Sequence, residues 1–221
     1  MATATRIFEA IAAGDLEHVK QLASEDAAIA LARDEQGISA VMQARYHGRT
    51  EIVELLLSSE PELNVFEAAA MGRRERAAAL IEEDPDLVRA WSPDGFTALH
   101  FACFFGHPDI AQLLLERGSD VDPPSRNELG VTPLQSASSG GHVEAVALLL
   151  DAGADVHPPH PSGFTPLHSA AANGDRPTAE LLLSRGANPT RSKHDGKTPI
   201  DLAREGGHQE IVVLLGNHGV G

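Results

Sequence analysis

Basic residues are scarce in this chain: 17 lysines and arginines face 32 aspartates and glutamates, a formal net charge of −15 over 221 residues. A field of that sign repels phosphate backbones and anionic headgroups. It argues against nucleic acid and membrane as partners and favours a basic protein. The local exception, Arg73, Arg74 and Arg76, reads as a solvated helix face. Cysteine is almost absent: Cys103 stands alone, so no intrachain disulfide can form, which fits a reducing compartment. Aromatic residues make up only 4% against 42% hydrophobic residues in all, so the core must be built from alanine, leucine and other small or aliphatic side chains. No long apolar run precedes the first charges at Arg6 and Glu9. Neither a signal peptide nor a bilayer-spanning stretch is expected, and the expectation is a cytoplasmic protein, monomeric on its own.

What is present is a period. Thr97, Thr132, Thr165 and Thr198 stand in the same context, separated by 35, 33 and 33 residues. Nine positions after each comes a glycine, Gly106, Gly141, Gly174 or Gly207, and an apolar run follows at a constant offset. The grid extends toward the N-terminus through Ser39 with Gly48, Leu63 with Gly72 and Thr5 with Gly14. Seven units therefore start near 5, 39, 63, 97, 132, 165 and 198. A second offset of 58 residues takes Phe8-Glu9-Ala10 to Phe66-Glu67-Ala68, Glu25-Asp26 to Glu83-Asp84, and Gly37 to Gly95. Units one and two are a degenerate copy of units three and four.

The unit at Thr165 shows what each position does. The threonine hydroxyl caps the coming helix, and Pro166 sits in the first turn, where its missing N–H costs nothing. Leu167, Ala170 and Ala171 make a narrow apolar stripe that admits a close neighbour, and Gly174 ends the helix in a left-handed conformation. Asp175 and Pro177 open a second helix whose Leu181-Leu182-Leu183 face is too wide for one contact. Gly186 closes it; Pro161-Ser162-Gly163 supplies the turn ahead of this unit, and Asp94-Gly95 does so ahead of Thr97. A helix pair of this length cannot bury its apolar faces alone, whereas a stack of pairs can.

T-P-L-H-x-A-A-x-x-G, the triple leucine, G-A-D/N and the D-G turn resemble the ankyrin repeat, in the form carried by bacterial ankyrin-repeat proteins, and the resemblance extends over essentially the whole chain. It implies an all-α solenoid of about seven stacked helix-turn-helix units with short fingers, one array over residues 1–221, its first and last units acting as caps. It also implies a protein-binding scaffold that recognises its partner through the finger tips and the concave first-helix face. The pattern is broken in places. Units two and three start only 24 residues apart, so Ser58 to Glu62 leave no room for a finger, and a notch in the row of fingers is expected there. Units one and three read F-E-A-x-A and exit through Glu-Asp.

Eleven histidines invite a catalytic or metal reading. His100 and His168 occupy the T-P-L-H position, where ankyrin histidines bond backbone between repeats, and His107, His142 and His208 open second helices. His157-Pro158-Pro159-His160 supplies two imidazoles, too few for zinc, and reads as a stiff exposed loop. Cys103 takes the place of a small core residue. No nucleophile elbow, phosphate loop or dinucleotide fingerprint occurs. The expectation is a non-enzymatic chain with no cofactor and no metal; a metal or catalytic role for the histidine-rich fingers is the alternative. In the family pattern, contact positions surround the finger glycine and the two residues before the first-helix glycine. They fall here on Tyr46, His47, Met71, Trp91, Phe96, Phe104 and Phe105. Five of these are aromatic in a chain with one tryptophan, one tyrosine and seven phenylalanines, and aromatic side chains dominate binding hot spots. The competing expectation is that Phe104 and Phe105 fold inward to fill the notch.

Overall fold

The computed structural model describes residues 2–218; Met1 and residues 219–221, the ends of the expected array, lie outside the described residues. Seven helix pairs follow one another: α1 (Ala2–Ala13) with α2 (Leu16–Glu25), α3 (Ala40–Tyr46) with α4 (Thr50–Leu57), α5 (Val65–Ala70) with α6 (Arg74–Glu83), α7 (Ala98–Phe104) with α8 (Pro108–Glu116), α9 (Pro133–Gly140) with α10 (Val143–Asp151), α11 (Pro166–Asn173) with α12 (Arg176–Ser184), and α13 (Pro199–Glu205) with α14 (Gln209–His218). No strand occurs among the described residues; the one ladder-like contact is an isolated bridge, Arg33 with Ser39. The fold is an all-α solenoid, each first helix packed on the next and on its own second helix.

Caps set the register. The side chains of Thr97, Thr132 and Thr165 accept from the backbone N–H three residues on, and the residue there, His100, Gln135 or His168, returns to the threonine N–H. That reciprocal box satisfies two of the N–H groups a helix start leaves open. Two expected starts shift. Asn64, not Leu63, caps α5: its side chain accepts from Phe66 and Glu67, and Glu67 returns to the Asn64 N–H, which an apolar Leu63 cannot do. Unit one opens at Ala2, so Thr5 lies inside α1.

The core runs the length of the stack. Leu22, Leu56, Leu99, Leu114, Leu134, Leu149, Leu167 and Leu182 are fully buried, with Ala68, Ala102, Ala137 and Ala170 between them. Alanine keeps adjacent first helices close; leucine fills the wider space toward the second helices. After the Glu-Asp exits of units one and three the chain makes short 3-10 turns, Ala27–Leu31 and Pro85–Arg89, in which Asp26 and Asp84 accept from Ala28 and Asp86.

Between α4 and α5 there is no finger; residues 58–64 pass directly to the next cap. The neighbouring fingers close over the gap. A Cβ at Gly37, on the 32–39 finger, would lie 3.4 Å from Pro93 on the 90–97 finger. Below them Phe66 meets Phe101 edge-on at 6.3 Å. The expected notch is thus bridged at its rim and filled from beneath by Phe66 and Phe101.

Candidate interaction groove

In units four, five and six the third residue of the first helix ties one unit to the next. His100 Nδ1 accepts from the Thr97 N–H, which leaves Nε2–H to donate to the Val131 carbonyl at 3.0 Å. Gln135 repeats the arrangement with the Phe164 carbonyl at 3.0 Å, and His168 with the Lys197 carbonyl at 3.3 Å. Burial holds the His100 and His168 imidazoles down to about 4, so both are neutral bracing groups. In unit three this residue is Glu67, 1% exposed. A carboxylate has no proton to donate to a carbonyl ahead, and it accepts instead from Arg33 on the finger behind, at 3.2 Å.

The His100 brace ties the 118–132 finger to α7, and that finger in turn holds the 90–97 finger. Arg126 N–H donates to the Gly95 carbonyl at 2.8 Å, and the Asn127 side chain to the Asp94 carbonyl at 2.8 Å. A groove of about 250 Å³ lies between fingers and helices. Phe96, Leu129 and Val131 wall it on the finger side, Phe101 and Phe104 floor it, and Tyr46 closes one end. The Tyr46 hydroxyl donates to Asp94. Burial, and after it that carboxylate, pushes the phenol well above its ordinary value, so it remains a protonated donor.

The sequence-predicted positions divide. Tyr46 and Phe104 are 40% and 42% exposed on the groove, and Phe96 joins them on its wall. Phe105 does not share that exposure: it is half-buried, packed on the core, with Tyr46 at 6.2 Å and the Arg45 guanidinium 4.6 Å over its ring. The reason is helical: Phe105 follows Phe104 by about 100° around the axis and so turns back toward unit two. Trp91 is half-buried under Arg126, 4.4 Å from its ring, and is not part of the groove lining. Met71 is half-buried against the core, and His47 is exposed at the end of α3. Sequence reasoning missed Phe101, Leu129 and Val131. Leu129 is 56% exposed, and its signal was available: an apolar residue directly before the finger glycine Gly130.

His107, His142, His157, His160 and His208 are engaged in the scaffold. His107 Nε2 donates to the Ala70 carbonyl at 3.2 Å and His208 Nε2 to the Ala172 carbonyl at 2.9 Å, each in the preceding unit. His142 packs so close to Gly106 that a Cβ there would fall 2.5 Å from its ring. His157 Nε2 accepts from the Asn188 N–H at 2.9 Å and His160 Nδ1 from the Ser162 N–H at 3.1 Å. Among the described residues no three His, Cys, Asp or Glu side chains converge as a metal site. Cys103 is fully buried, and burial pushes its thiol up, away from the reactive thiolate. No helix among the described residues is long and apolar enough to cross a membrane.

Helix pairs in series, capped by threonine and laced by imidazoles, define a helical-repeat solenoid. The family model for ankyrin repeats matches residues 65–159, 120–193 and 157–221, well over half of the chain, and the chain belongs to the ankyrin-repeat family. Ankyrin repeats are generally protein–protein interaction modules and typically non-catalytic. The chain is 41% identical over 68 residues to a probable E3 ubiquitin-protein ligase, XBOS31, of Oryza sativa subsp. japonica, which is 30% of this chain and 15% of that protein. It is 40% identical over 53 residues to the NAD-capped RNA hydrolase NUDT12 of Homo sapiens, 24% of this chain and 12% of that one. Over 96 residues it is 31% identical to ankyrin repeat and SAM domain-containing protein 6 of Mus musculus, 40% of this chain and 11% of that one. The chain spans about a tenth to a seventh of these relatives' lengths, and their activities remain theirs.

Proposed function

We infer that this chain is a non-catalytic scaffold, an adaptor, inhibitor or regulatory partner, that holds another protein against its finger tips and first-helix face, in the cytoplasm. The observation that supports this most is the groove around Tyr46, Phe104 and Leu129: large apolar side chains that the core does not need, kept at the surface on a braced frame. Exposed apolar area of this kind marks contact sites. Engagement of the imidazoles in backbone hydrogen bonds favours a scaffold over an enzyme or metal protein, and the charge of −15 favours a basic partner.

Affinity capture from the native cell, read by mass spectrometry, tests this with a matched variant. Phe104→Ala is the right substitution because its ring is exposed; its melting temperature is expected to stay within a few degrees of wild type. Phe105→Ala removes a packed ring and is expected to cost about 2–3 kcal/mol, so it controls for loss of fold. A partner captured by wild type and lost from the well-folded Phe104 variant supports the reading; equal capture by both counts against it.

A further inference from the structure

We propose that the groove takes one large apolar side chain, aromatic or leucine, presented on a cationic segment of the partner protein. The inference rests on the protein-binding reading and names the chemistry of the occupant. Size comes first. At about 250 Å³ the groove is smaller than the ~300–1,000 Å³ pockets that enclose drug-sized ligands, and suits a single anchoring side chain. Its lining is apolar on three sides, from Phe96, Phe101, Phe104, Leu129 and Val131. The polar groups of its floor are mostly committed: His100 and Gln135 to backbone, Ser139 to Ser169 at 3.0 Å. Little is left there to recognise a polar head, and an apolar anchor is the occupant that loses least on desolvation.

Charge around the mouth gives the flanks. Arg45 and Arg126, the cations beside the groove, are stacked on Phe105 and Trp91 at 4.6 and 4.4 Å. The carboxylates are differently placed. Glu128, next to Leu129, is exposed and has no ion pair or hydrogen bond among the described residues, and the same holds for Glu35 on the finger that leans onto the 90–97 finger. Asp94 sits between them, its carboxylate accepting from Tyr46 and Ser92. A lysine or arginine flanking the anchor has these finger carboxylates to meet outside the groove lining, and the chain's overall charge of −15 steers such a segment in.

Panning a phage-displayed library of random dodecapeptides on the full chain tests the proposal, followed by fluorescence anisotropy with synthetic copies of the enriched peptides. Expected is a consensus of one Trp, Phe or Leu flanked by Lys or Arg. Binding should weaken about tenfold or more in Leu129→Ser, as hot-spot truncations do, and by a similar factor in Glu128→Lys, with a steep loss in high salt. Both positions are exposed, and unchanged thermal unfolding of each variant certifies its fold. Peptides with neutral or acidic flanks that still depend on Leu129 overturn the cationic occupant and leave groove binding standing. Enriched peptides indifferent to Leu129→Ser, or no enrichment at all, overturn both.

Discussion

His100 and His168 are the residues whose chemistry most directly couples this fold to solution conditions. Folded, their imidazoles are held near 4 by burial; unfolded, they titrate near the ordinary ~6.5. The unfolded chain therefore binds more protons between those values, and stability falls as pH drops from about 6.5 toward 4. Burial also lowers His107, which adds in the same direction. Gln135 performs the same bracing without titrating. The double variant His100→Gln, His168→Gln should therefore remain within about 1–2 kcal/mol of wild type at neutral pH and show a flatter decline in urea midpoint between pH 6.5 and 5. An undiminished pH slope in the double variant would mean that other groups carry the acid sensitivity.

At the scale of elements, fingers are stabilised by their neighbours. The 186–198 finger is tied to the one before it through Asn188 N–H to His157 and His194 N–H to the Ser162 carbonyl, both 2.9 Å. His157→Ala with His160→Ala should therefore loosen these two fingers by about 1 kcal/mol, seen as faster hydrogen exchange at the Asn188 amide. It should leave binding at the groove unchanged, because neither imidazole lines it, and zinc or nickel should not raise the melting temperature of either form; a metal-dependent rise lost in the double variant would restore the metal reading. The helices themselves were legible in the sequence, because Thr97 to Gly106 and its repeats are local signals separated by a fixed period. Fates of fingers were less so. The 24-residue spacing of units two and three gives away the missing finger, but not that Gly37 would meet Pro93 across it. Nor does it show that Glu67 would turn back to Arg33, 34 residues behind. Those contacts depend on how units stack, which no single repeat encodes.

Across the whole molecule the same limit applies to the site. Tyr46, Phe96 and Phe104 could be placed by the family pattern because each occupies a fixed position in its own unit. Leu129 and Val131 could not, since the groove exists only where the 118–132 finger overhangs α7 and α9. The packing of Phe105 against Tyr46 and Arg45 was not legible, because position in a repeat says nothing of which neighbour a ring leans on. We propose that the first and last units close the stack as caps, with Val213 on α14, 55% exposed, left as isolated surface. That residue supplies a control for the most direct measurement of partner binding. A photocrosslinking amino acid is placed at Leu129 in one protein and at Val213 in another, each is irradiated in lysate of the native cell, and adducts are identified by mass spectrometry. Binding through the groove gives a discrete protein adduct at position 129, competed away by unlabelled wild type but not by Phe104→Ala, and none at 213. The same adducts at both positions, or adducts at 129 that the Phe104→Ala protein competes as well as wild type, would contradict it.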